Sequence, residues 1–109
     1  MTVLIVKPNK EPILTEIENT LKTMQTIVEG HIEALYPFED EIALVCNEEG
    51  KLLGLPLNRA LYDTEGNMYE IIAGTFIVCG LGEENFDSLS PDLIEKFGKR
   101  FLNPEYFFF

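Results

Sequence analysis

The sequence has no tryptophan, one histidine and two cysteines among 109 residues, and only 8 lysines and arginines stand against 19 carboxylates. Each shortage closes off a chemistry. One histidine and two cysteines leave a zinc site almost without ligands. The histidine, His31, has a carboxylate two positions on at Glu33, but no nucleophile accompanies the pair, and Ser88 and Ser90 stand in no motif. No glycine-rich phosphate loop follows a strand. The run Glu39-Asp40-Glu41 lacks the spacing of a calcium loop and is expected to be an acidic turn. Neither a metal nor a cofactor is expected, and turnover of a substrate is not expected either.

The two cysteines, Cys46 and Cys79, each lie in an apolar run. Buried free thiols are expected, with a disulfide as the alternative. Val3 to Val6 forms a strand-like start with no basic region or cleavage site, so no signal peptide is expected. No apolar run approaches membrane-spanning length. The expected compartment is a reducing cytoplasm. The shortage of basic residues gives a formal charge of −11. Such a charge disfavours direct nucleic-acid binding and anionic membranes, and favours basic partners. Between Lys22 and Lys51 there is no lysine or arginine, and between Lys51 and Lys96 there is only Arg59. An arginine isolated among carboxylates is either a structural partner or a ligand-binding group.

What is present suits one α+β domain spanning residues 1–109, with a mainly antiparallel sheet and two helices packed on it. Thr2–Lys7 is a β-branched run. Thr15 with Glu18 matches a capping box, so a helix is expected from there, with Ile17, Leu21, Met24 and Val28 as its apolar face and Gly30 as its C-terminal cap. Strands are expected at His31–Tyr36 and Ile42–Cys46, the latter turning at Asn47–Gly50 into a short return strand at Lys51–Leu53. Asn58-Arg59 is expected at the start of a helical turn. Asp63-Thr64-Glu65-Gly66 is a turn, Met68–Ile72 and Thr75–Cys79 are strands, and Gly74 marks a bend between them. Ser90-Pro91 opens the last helix, with Leu93, Ile94, Phe97 and Phe101 as its apolar face.

Asn47, Asn58 and Arg59, with Thr75, are the candidate ligand-binding residues. Asparagine supplies a donor and an acceptor and arginine a planar fork, which suit phosphate or carbonyl oxygens. The alternative is that Asn47 only shapes its own turn and Asn58 only caps the helical turn after it. Glu39, Asp40 and Glu41, together with Tyr106, Phe107 and Phe108, are the candidate partner-binding residues. The aromatic stretch suggests packing on the chain's own sheet or on a second copy, so a homo-oligomer is expected.

The strings Tyr36–Asp40, Ala43–Lys51, Gly54–Leu61 and Ile72–Gly80 resemble the family called domain of unknown function 3846, found in Firmicute bacteria, their phages and conjugative elements. The likeness runs from about Val3 to the final helix and keeps an Asn at Asn47 and the pair Asn58-Arg59; Tyr106–Phe109 falls outside the pattern. The family has no agreed activity, so the resemblance implies no catalytic residue. It does imply a mobile-element setting, in which a small non-catalytic protein is expected to act in counter-defence by binding. One mechanism is a sponge that sequesters a host immune nucleotide, which the Asn/Arg set favours, and in which Arg59→Ala abolishes binding without harming the fold. The alternative is an acidic inhibitor, a possible nucleic-acid mimic, of a basic host defence protein.

Overall fold

A computed structural model describes all residues, Met1–Phe109. Its elements run β1 (Thr2–Val6), β2 (Ile13–Glu16), α1 (Leu21–Val28), β3 (Ile32–Leu35), β4 (Ile42–Asn47), β5 (Leu57–Tyr62), β6 (Met68–Ala73), β7 (Phe76–Leu81), β8 (Phe86–Asp87) and α2 (Pro91–Arg100). Six strands form one sheet in the order β2-β1-β7-β4-β3, with β8 beside β7 and every pair antiparallel. β5 and β6 form a separate two-stranded ribbon. The α+β expectation is therefore met.

The central strands are apolar on both sides, apart from Thr2 and Asn47 at their ends, because both faces of the sheet are covered. Side chains alternate from face to face along a strand. Val3, Ala43, Val45, Ile77 and Cys79 pack with Met24 and Val28 of α1. Their neighbours Leu4, Val6, Ile42, Leu44, Cys46, Phe76 and Val78 face the other way, onto Leu61 and Ile72 of the ribbon and Phe97 and Phe101. The rings of Phe38 and Phe97 lie 4.9 Å apart and those of Phe76 and Phe101 5.2 Å apart, tying α2 to the sheet.

Four local expectations are corrected. Thr15 belongs to β2, opposite Val3, and the first helix is N-capped by Thr20, whose Oγ1 accepts from Thr23 N at 3.2 Å. Pairing with the preceding strand β1 overrides the capping pattern. The left-handed residue ending α1 is Glu29 at φ 64°, not Gly30. Gly30 is needed for close approach, since a Cβ there would stand 2.7 Å from Asn47 Nδ2. Lys51–Leu53 forms no strand: Leu53 N bonds Glu49 O and Leu55 N bonds Gly50 O, which curls the segment into successive turns. Asn58 and Arg59 lie in strand β5, not in a helical turn. The bend at Gly74 is present, at φ 84°.

The last helix follows its local signals. Ser90 is the N-cap, Pro91 takes the first helical position, and Lys99 and Arg100 lie in the last turn.

Candidate functional site

The structure does not gather the Asn/Arg set into one site. Asn47 ends β4 on the α1 side: its Nδ2 donates to Val28 O (3.1 Å) and Glu29 O (3.3 Å), and its Oδ1 accepts from Glu49 N (2.8 Å). One amide thus caps the C-terminus of α1 and fixes the turn after β4. Asn58 and Arg59 lie across the sheet, on the α2 side. Asn58 Nδ2 donates to Val6 O (2.9 Å) and Gly74 O (2.8 Å), stitching the ribbon to β1 and to the bend before β7.

Arg59 is 0% exposed. Its Nε and Nη2 donate to Phe101 O (3.2 and 2.8 Å), Nη2 also to Lys10 O (2.7 Å), and Nη1 to Asn58 Oδ1 (2.8 Å). Burial pulls the guanidinium below its ordinary pKa, and the nearby Glu105 opposes the shift. The charge is spent on the carbonyl at the end of α2, where a helix dipole favours a cation. Neither Asn58 nor Arg59 reaches solvent, so for these two the expected role as a ligand contact is corrected to a structural one, whereas Asn47 also lines a cleft beside β3. Thr75 is half-buried just before β7, beside the Gly74 carbonyl that Asn58 uses.

The partner-binding residues fare differently. Glu39 and Glu41 are exposed. Asp40 is held by Lys96 Nζ at 2.9 and 2.8 Å, and that hydrogen bond keeps its carboxyl below the usual range. The Leu81 N–H donates to Glu41 O at 3.1 Å, so the Glu39–Glu41 turn and the exposed Glu83 and Glu84 share one end of the sheet. Tyr106 and Phe108 are exposed and Phe107 is half-buried; Phe107 and Phe109 stack at 6.4 Å. The aromatic stretch therefore does not bury itself on its own sheet. His31 is exposed and makes no hydrogen bond to Glu33.

Sequence reasoning missed a cleft of about 300 Å³ between edge strand β3 and the ribbon, lined among others by Glu33, Leu35, Cys46, Lys51, Glu70 and Ile72. Glu33 lies directly opposite Cys46 and Leu35 opposite Leu44, so both point to the α2 side of the sheet. Glu70 lies opposite the buried Leu61 on the ribbon, and Lys51 is its ion-pair partner. The Cys46 thiol is pushed up from 9.0 to about 11, first by burial and then by the charges of Glu33 and Glu70. Alternation placing Glu33 between Ile32 and Ala34 was the available signal. That the ribbon folds over it was not readable locally. Both cysteines are free and buried, as expected, and Cys79 rises to about 12 through burial.

An antiparallel sheet with one helix on one face, and a helix plus a β-ribbon on the other, is an α+β fold. The family model described as Domain of unknown function (DUF3846) matches residues 1–102, and the chain belongs to that family. No curated protein and no solved structure matches it. No helix is long and apolar enough to cross a membrane.

Proposed function

We propose that this protein acts by binding a basic protein partner, without turnover, as an acidic inhibitor of the kind that serves a mobile element in counter-defence. The observation that carries this reading is the group of exposed carboxylates, Glu39, Glu41, Glu83 and Glu84, at one end of the sheet. Arg59 is enclosed, while Lys51, Lys96 and Lys99 are each paired with a carboxylate, Glu70, Asp40 and Glu95. Arg100 lies over the rings of Phe38, Tyr62 and Phe101. Enclosing Arg59 takes one positive charge off the surface, each lysine pair cancels one carboxylate, and Lys7, Lys10 and Lys22 stay exposed; the exposed Glu39 and Glu41 with Glu83 and Glu84 form an end of the sheet suited to a basic protein. Exposed Tyr106 and Phe108 add aromatic contact of the kind enriched at interfaces. Homo-oligomer formation through that same stretch is the second use it suits.

The sponge reading loses its main support with the enclosure of Arg59. The test is capture of a basic protein from lysate on the immobilised chain at rising salt. Wild type is expected to release its partner as salt rises, and Glu39→Lys with Glu41→Lys to retain none; Asp40 is left intact because it anchors the turn to α2. Equal retention by the two, or retention indifferent to salt, contradicts the reading.

A further inference from the structure

The cleft under the ribbon has features that a mere seam between two sheets would lack. Four carboxylates line it, Glu33, Glu48, Glu49 and Glu70; of these, Glu33 from the sheet and Glu70 from the ribbon occupy positions whose side chains turn towards the other layer. A single ammonium, Lys51, answers them, and it is committed to Glu70, so Glu33 has no cationic partner. The floor is apolar: Leu35, Ile72 and Cys46, the last 5% exposed. The Cys46 thiol has no hydrogen-bond partner, whereas Cys79 Sγ donates to Ala43 O at 3.8 Å. Acidic walls over an apolar floor suit a ligand with a charged head and an aliphatic stem. The apolar floor offers a hard metal ion no side-chain oxygen and suits an organic cation with an aliphatic stem. The space, about 300 Å³, is at the lower end of small-ligand pockets and admits one long side chain.

We propose that the cleft between β3 and the β5–β6 ribbon is the receptor for one cationic side chain, arginine or lysine, of the basic partner, with Glu33 as the residue that meets its charge. The proposal rests on the binding function above and adds the position and chemistry of an anchor. The stem lies along Leu35, Cys46 and Ile72, and the head meets Glu33 at the mouth. Gly50 sets the height of the turn that walls the cleft, since a Cβ there would stand 2.6 Å from Ala73 O. The exposed Leu52 lies on the same turn, beside the mouth, as a contact for the partner's flanking residues.

The probe is the peptide acetyl-Gly-Arg-Gly-amide, titrated into isotope-labelled protein and followed by amide shifts in solution NMR. Its neutral control is the same peptide with citrulline in place of arginine. The expected result is a saturable shift of the Leu35, Cys46 and Ile72 amides with arginine and none with citrulline. Glu33→Gln is expected to weaken the shift at least fivefold, and Glu11→Gln, an equal charge change on an exposed loop, to leave it unchanged. Glu33 is exposed, so its substitution leaves the fold standing, and unaltered amide dispersion checks this. Equal response to citrulline, or indifference to Glu33→Gln, overturns the proposal. Shifts confined to the Glu39–Glu41 and Glu83–Glu84 turns overturn the cleft and leave the acidic-surface reading standing. Failure of that broader reading shows separately, as salt-independent capture in the lysate experiment.

Discussion

Arg59 heads the fully buried side chains by volume, and every carbonyl it serves comes from another part of the chain. Removing it leaves the Phe101 and Lys10 carbonyls and Asn58 Oδ1 without their donor in a dry setting. Arg59→Ala is expected to cost on the order of 3 kcal/mol, because hydrogen bonds to charged groups and buried unsatisfied acceptors are each worth about 1–3 kcal/mol. A urea melt measures this; an unchanged midpoint contradicts it. The variant is thus a probe of folding, contrary to the expectation that it leaves the fold intact. Arg59 was conspicuous in the sequence as an isolated cation, but its destination was not, because its partners lie 42 and 49 residues away. The buried thiols make a second prediction. With folded values of about 11 and 12 against an ordinary 9.0, Cys46 and Cys79 hold their protons longer in the fold than out of it. The stability this gives is complete below pH 9.0 and declines as pH rises towards those folded values. At pH 8 a thiol reagent is expected to label the unfolded chain readily and the folded chain only slowly. Rapid labelling of both cysteines in the folded chain contradicts their burial.

Elements with local signals were legible, and elements held by distant partners were not. α2 carries its own N-cap, a proline at its first position and cations in its last turn, all within the helix itself. β5 reads Leu57-Asn58-Arg59-Ala60-Leu61-Tyr62, without a β-branched residue, and becomes a strand through β6 and through partners on β1 and after α2. β2 was concealed by the coincidental match of Thr15 and Glu18 to a helix cap. At this scale Asn47 is the clamp on α1. Asn47→Ala is expected to cost about 2 kcal/mol, by loss of its hydrogen bonds and exposure of the α1 C-terminal carbonyls. Hydrogen exchange should speed most in the last turn of α1; uniform acceleration across the sheet contradicts a local clamp. Two ion pairs also join elements: Asp40 with Lys96 ties the β3–β4 connection to α2, and Lys51 with Glu70 ties the turn after β4 to the ribbon. Their hydrogen bonds hold both carboxyls below ordinary values of 3.8 and 4.5. A lowered folded pKa gives stability present above the ordinary value and lost as pH falls through the folded one. The urea midpoint is expected to drop as pH falls below that range, and less so in Lys96→Met; an identical acid response in the variant contradicts the role of the Asp40 pair.

For the whole molecule, the charge inventory in the sequence pointed towards a basic partner, and the fold adds to it by enclosing one cation and gathering exposed Glu39, Glu41, Glu83 and Glu84 at one end of the sheet. The cleft depends on two layers meeting, so no stretch of sequence displayed it. The aromatic Tyr106–Phe109 stretch was visible as an oddity, and its exposure leaves it available to a partner or a second copy. The most direct test of binding without turnover is native mass spectrometry of the protein recovered from phage-infected or defence-activated cells, set against the same sample denatured. The account predicts a mass increment that resolves, on denaturation, into a basic protein, and that is absent when Glu39→Lys and Glu41→Lys are introduced together. Release of a small nucleotide, or an increment undiminished in that variant, contradicts it.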